Sequence, residues 1–229
     1  MTPADLPADE PERLRVLREL RVLDTVVDPA FVALARQIAA RTGWPIAAIS
    51  LVDAERQWFP ATVGLDVRET PRDQSFCGHA ILQPAAFEVA DALDDPRFAD
   101  NPLVTGGPGI RAYASVPLRV DDRRIGTVCA IHTVPARLDD SQWQALHELA
   151  LLASALLDAR LREQRWRLQE ARVRAASQSG NSWLWETDDQ GRLSWLSENF
   201  EHCIGLPLQH DLGRGFPELY QPHGGEHAA

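Results

Sequence analysis

The chain of 229 residues contains no lysine; all 23 of its basic residues are arginine. That absence excludes a P-loop lysine, a Schiff-base lysine for pyridoxal phosphate and a kinase-type ATP lysine. Positive charge is also outnumbered, since 33 Asp and Glu leave a net charge of −10. A nucleic-acid binder presents a basic face to phosphates, so DNA and RNA are not expected partners. Cysteine is scarce. Cys77, Cys129 and Cys203 are too few for a disulfide scaffold, and an odd number fits a reducing, cytoplasmic compartment. Long apolar runs are missing as well. The stretch from Leu149 to Leu157 falls short of the roughly 20 residues that a membrane span needs. Met1-Thr2-Pro3-Ala4-Asp5 has neither the basic start nor the apolar core of a secretory signal.

What is present reads as an α+β chain. Residues 1–8 form an acidic, proline-bearing stretch expected to be a loose tail. Asp9 and Glu12 make a capping pattern for a helix running to about Leu23, with Leu14, Val16, Leu17 and Leu20 on its apolar side. Asp28-Pro29 opens a second helix. Phe31, Leu34, Ala35 and Ile38 fall at helical spacing, and Gly43 stops it. Ile46–Val52 and Gln57–Val63 are expected to pair as a hairpin. Residues 64–74 read as a loop, 75–82 fit either helix or strand, and Phe87–Ala90 is a brief strand. Asp91–Gly109 is a long irregular excursion of the kind that carries function. Ala112–Val120 and Ile125–Thr133 form a second antiparallel pair. Alternation along the latter puts Ile125, Cys129 and Ile131 on one face and Val128 and Ala130 on the other.

Asp139-Asp140-Ser141 caps a helix expected over 142–177, about 50 Å long at about 1.5 Å per residue. Leu149, Leu152, Leu156 and Ala159 follow 3-and-4 spacing, and six Arg against two Glu lie between Arg160 and Arg174. Such a helix outlasts its domain and is expected to pair with a second copy, the homodimer contact covering 142–176 and including Trp166. Gln178-Ser179-Gly180-Asn181 breaks it. Trp183–Asp188 and Leu193–Leu196 then read as a hairpin about Asp189-Gln190-Gly191, with a short helix from Asn199 to Ile204 and a tail rich in Gly, Pro and His.

Four motifs occur in order: Phe76-Cys77-Gly78-His79-Ala80, Asp94-Asp95-Pro96-Arg97-Phe98, Arg111–Leu118 and Ile125–His132. In this combination residues 9–141 resemble a GAF sensor domain of the bacterial F-C-G-H-A type. That type precedes PAS, diguanylate cyclase or histidine kinase modules. Residues 178–229 resemble the N-terminal part of a PAS domain, too short to be complete. The resemblance implies a central antiparallel sheet, N- and C-terminal helices on one face, and a loop-covered small-molecule pocket on the other. It places the pocket between the sheet and segments 75–82 and 91–113, lined by Phe76, Cys77, His79, Phe98, Arg111, Tyr113, Ser115 and Cys129.

Each of these residues also has a simpler reading. Cys77 and His79 could act as nucleophile and base; two residues apart, they share a face on a strand but diverge by about 200° on a helix. Cys77 then counts as a small buried hydrophobe and His79 as a hydrogen-bonded wall. A zinc site of Cys77, His79, Cys129 and His132 has suitable ligand types; on a regular strand, however, Cys129 and His132 point to opposite faces. No metal is expected. Arg111 suits an anionic ligand or a tie to Asp91 or Asp94. Thr105-Gly106-Gly107-Pro108-Gly109 lacks a Walker spacing and reads as a flexible loop rather than a phosphate cradle. Trp183 and Trp185 share a strand face and suit a core or an interface rather than a stack on a ligand. His223, Glu226 and His227 make no site.

The functional expectation is a cytoplasmic sensory module rather than an enzyme. A small ligand or partner would be registered and relayed through the dimeric helix to an output absent from these residues, either cyclic-di-GMP turnover or a histidine kinase. No GGDEF, EAL, phosphoacceptor or helix-turn-helix motif stands in the chain. No cofactor is obligatory, and haem, bilin and cyclic nucleotide lack a specific motif. Two alternatives stay open: a free methionine-(R)-sulfoxide reductase using Cys77 and Cys129, and a ligand-free dimerisation spacer.

Overall fold

The computed structural model describes residues 1–26, 28–178, 183–197, 199–204 and 212–214. The chain divides into two units, Met1–Gln164 and Arg165–Ala229. In the first, helices α1 (Glu10–Glu19) and α2 (Pro29–Thr42) precede strands β1 (Ile46–Val52), β2 (Arg56–Val63) and β3 (Glu69–Pro71). Helix α3 (Phe76–Ala80), strand β4 (Phe87–Val89), helix α4 (Pro102–Thr105) and strands β5 (Ala112–Val120) and β6 (Arg123–His132) follow. Helix α5 (Asp140–Gln178) continues into the second unit.

All neighbouring strands of the first unit are antiparallel, in the order β3-β2-β1-β6-β5-β4. Apolar side chains cover both faces of this sheet. On one, Val16, Leu17 and Leu20 from the first helical segment, Phe31 and Ile38 from α2 and Leu146, Ala150 and Leu157 from α5 share one core with the strands. Phe76, Cys77, Phe98, Val104 and Ile110 pack on the other. That sandwiching makes β1 buried along its whole length.

The helix ends show where side-chain chemistry decides. Asp28 caps α2 by accepting from Ala30 N–H over 2.8 Å, and Gly43, at φ 70°, ends it in the left-handed conformation. Asp139 caps α5 through Gln142 N–H at 2.8 Å. Asp9 does not cap α1; its carboxylate pairs with Arg123 at 2.8 Å. That helix also stops at Glu19, short of Leu23, with Arg21 and Asp24 at positive φ.

Several expectations are corrected. Residues 64–74 hold β3 and a 3₁₀ turn at Arg72–Gln74, since β3 pairs with β2 through Gln57 and Thr70. The expected loose tail is held: Thr2 N–H donates to Arg97 O over 3.2 Å, and the Met1 ammonium pairs with Asp100. Ile125 joins the helical side with Val128 and Ala130, not Cys129. The cause is a bulge: Leu118 pairs with Gly126 and Arg119 with Arg124, so Ile125 is one residue more than β5 can match. On α5, the inward stripe is Leu146, Ala150, Ala153, Leu157 and Leu161, whereas Leu152 and Leu156 are 54% and 42% exposed.

In the second unit, β7 (Trp185–Thr187) pairs with β8 (Leu193–Leu196), and α6 (Asn199–Ile204) follows. Leu193, Leu196 and Phe200 form a small core, and Trp183 meets Phe200 edge-on at 4.9 Å. Trp185 is exposed, so the two tryptophans do not share a core. The break expected at residues 179–181 and the histidines 223 and 227 lie outside the described residues. No helix among the described residues is long and apolar enough to cross a membrane.

Candidate functional site

The register of the central strands lays out the face away from the long helices. One row runs Ile46, Ile131, Tyr113, Val89, and the next runs Ala48, Cys129, Ser115, Phe87. Above these rows lies a cavity of about 310 Å³. Tyr113, Cys129 and Ile131 form its floor, Gln57, Phe59 and Thr70 one wall, and Phe76 and Cys77 another. Segment 64–67 and residues Leu103, Gly107, Pro108 and Ile110 close over it. The volume lies at the lower end of the range of small-molecule pockets, and the walls are mostly apolar.

Helix α3 brings Cys77 into the wall beside Tyr113. Ser75 starts the helix by accepting from Gly78 N–H over 2.9 Å. Its hydroxyl in turn donates to Gln57 Oε1, locking α3 to β2. Tyr113 donates its hydroxyl proton to Cys77 Sγ across 3.2 Å. Burial pushes the Cys77 thiol up, but hydrogen bonding from Cys129, Ser50 and Tyr113 outweighs it and holds the thiol below its ordinary value. Cys129 moves the other way, because its hydrogen bond to Cys77 and its own burial both favour the protonated thiol. Burial, then the charge on Cys77, does the same to Tyr113. The pair therefore holds one early and one late proton.

Four of the eight candidate residues line the cavity: Phe76, Cys77, Tyr113 and Cys129. The other four stand behind or beside it. Phe98 stacks on Phe76 with ring centres 4.0 Å apart, supporting the wall from outside. His79 meets Phe98 edge-on at 4.9 Å, and its Nε2 lies 3.0 Å from Thr2 O. Burial lowers the pKa of that ring. Arg111 forks onto Asp91 at 2.8 and 2.5 Å. Ser115 is fully buried next to Cys129, its register partner. Among the described residues, no group of three or more His, Cys, Asp or Glu is placed to hold a metal ion.

Gln57, Phe59 and Thr70 escape a reading by motif. Their one signal in sequence is the alternation of Gln57 and Phe59 along β2, and β3 is too short to announce itself. The electrostatics are one-sided: no Arg, Lys or His lines the cavity, and Asp66 is its one charged residue.

A model of the GAF domain family matches residues 18–157. A cyclic di-GMP phosphodiesterase of Pseudomonas aeruginosa is 46% identical over 133 residues, covering 56% of this chain. The aligned part spans only 22% of that relative's length. Among solved structures, the free methionine-R-sulfoxide reductase of Neisseria meningitidis is 22% identical with a TM-score of 0.48, covering 73% of this chain and 99% of that one. The blue-light-absorbing PixJ GAF-domain of Thermosynechococcus elongatus is 15% identical with a TM-score of 0.48, covering 73% and 98%.

Proposed function

We propose a function from one premise: this chain belongs to the GAF domain family. Such domains are typical of signalling proteins, and this one serves as a sensory module of cyclic-di-GMP signalling. A small molecule enters the cavity above Tyr113 and Cys129, and its occupancy biases the sheet and the helix behind it. The observation that carries this reading is the asymmetry of the sheet: one face is filled by helical side chains, and the other keeps a hollow of about 310 Å³. The identity to the Pseudomonas phosphodiesterase supports the pathway.

Transmission follows from packing. A ligand shifts a conformational equilibrium only by its differential affinity for the two states. The element positioned to report that shift is α5, which packs on the same strands from behind through Leu146, Ala150 and Leu157. Its exposed Leu152 and Leu156 would meet a second copy in a homodimer. Residues from Trp183 onward would open a PAS module in the relay, and turnover of cyclic di-GMP would belong to an output domain.

A test fills the hollow in the living host. Ile131→Trp places a large ring where the ligand would sit, and mass spectrometry then measures cellular cyclic di-GMP at matched protein level. A change of about twofold or more is expected, since even a single-site coupling of about 1 kcal/mol shifts occupancy several-fold. An unchanged level with a folded variant would rule out the sensory reading.

A second reading has one observation in its favour: Cys77 and Cys129 line the same cavity, with one thiol poised to ionise before the other. The activity would be reduction of free methionine sulfoxide. Consumption of that substrate by reduced protein, lost in Cys77→Ser, would establish it; absence of turnover would remove it.

A further inference from the structure

The cavity wall carries a hydrogen-bond donor with nothing to bind. Gln57 is only 5% exposed. Its Oε1 accepts from Ser75, and Ser50 Oγ lies 3.5 Å away. Ser75 Oγ accepts Gly78 N–H and donates its own proton to Gln57 Oε1, which turns the amide NH₂ away from Ser75. The opposite end, the NH₂, has no partner among the described residues. Thr70 is the register partner of Gln57 on β3, so the two side chains share the cavity face. Its Oγ1 is buried and also without a partner. A buried polar group left unpaired costs about 1–3 kcal/mol, so the Thr70 hydroxyl and the partnerless NH₂ beside it mark a place where a ligand atom belongs.

Charge narrows the ligand further. No cationic side chain lines the cavity, and the carboxylate of Asp66 stands at its edge. Two cations of the surrounding loop are committed: Arg111 to Asp91 and Arg97 to Asp95. An anion would shed its water here and find no countercharge. Phe59, Phe76 and Tyr113 instead offer aromatic walls. The volume, about 310 Å³, is roughly twice that of an apolar cavity of about 150 Å³ that takes one benzene.

We propose that the ligand is an uncharged, mostly apolar molecule of about two rings, bearing a carbonyl- or ether-type acceptor that the Gln57 amide and the Thr70 hydroxyl read, and that anions, cyclic nucleotides included, are rejected. This rests on the sensory reading of the cavity and specifies what it senses.

The test titrates the full chain with four probes: coumarin, naphthalene, 2-naphthoate and cyclic GMP, followed by calorimetry. Coumarin is expected to bind saturably, with naphthalene about tenfold weaker for want of an acceptor and both anions weaker still. Gln57→Leu brings coumarin down to the naphthalene level and leaves naphthalene unchanged. Because Gln57 also anchors Ser75, Thr70→Val provides a second variant with the same expected direction. Binding of 2-naphthoate or cyclic GMP as tight as coumarin would overturn the ligand class and leave the sensory reading standing. Coumarin affinity unmoved in both variants would overturn the assigned donors. Absence of binding by all four probes would overturn the inference together with the cavity's role as a ligand site.

Discussion

Tyr113 of β5 gives its hydroxyl proton to the sulfur of Cys77 on α3, 3.2 Å away, and so ties the floor of the cavity to its wall. That bond favours the thiolate. In Tyr113→Phe the midpoint of Cys77 alkylation by uncharged iodoacetamide should move up by about one pH unit, the worth of a hydrogen bond to a charged group of about 1.5 kcal/mol. Peptide mass spectrometry against pH reads it, with Cys203 as the internal reference. An unmoved midpoint would mean that this hydroxyl does not support the ionised sulfur.

Glu10 sits between two arginines. Arg13, 1% exposed, forks onto it at 2.7 and 2.8 Å, and Arg72 reaches it at 2.5 Å. Glu10→Gln should destabilise the fold by about 3–5 kcal/mol, because it leaves buried cationic charge uncompensated. Chemical denaturation at neutral pH measures it.

The same carboxylate sets a pH dependence. Burial pushes Glu10 up, but hydrogen bonds from Arg13 and Arg72 outweigh it and hold the group below its ordinary value. A depressed carboxylate contributes stability above its unfolded pKa of about 4.3 and loses it as pH falls through the folded value. Wild-type stability should therefore fall steeply below about pH 4.3. Glu10→Gln should fall less steeply, the remaining slope coming from Asp9 and Asp95, which are also depressed by arginine partners.

Gly126 faces β1 where no side chain fits: an added Cβ would lie 1.9 Å from Ser50 O. Gly126→Ala should cost about 3 kcal/mol, at the upper end for overpacking. A melting temperature within a degree of wild type would show that the two strands can part at that point.

Leu152 and Leu156 point outward from α5. If they meet a second copy, the pair Leu152→Glu and Leu156→Glu should halve the mass measured by light scattering, with unchanged circular dichroism. Since neither side chain belongs to the inward stripe, a lost fold would contradict the packing described above.

Much of this architecture is legible in the chain because it depends on local chemistry. Asp28, Gly43 and Asp139 mark helix ends through side-chain hydrogen bonds or backbone conformation that neighbours alone decide. Strand β6 reads as covered on both sides because its two apolar sets alternate. The misses are non-local. Nothing near Asp9 says that Arg123 will draw its carboxylate away from the cap. Periodicity cannot see the extra residue at Ile125, because a bulge is a relation between two strands. In the site, motif residues supplied Phe76, Cys77, Tyr113 and Cys129, whereas Gln57 and Thr70 emerge only once β2 and β3 are paired.

The bulge has a practical outcome for how this scaffold can vary. The β5–β6 hairpin closes at Asp121 and Asp122, both at positive φ, and Ile125 soaks up the mismatch directly behind that tip. The bulge stands between that tip and the pairing of Ser115 with Cys129, while Asp121 N–H, donating to Asp158 at 3.2 Å, holds the tip to α5. A side chain exchanged at the hairpin end is thus felt first by α5, with a single spare residue between it and the chamber.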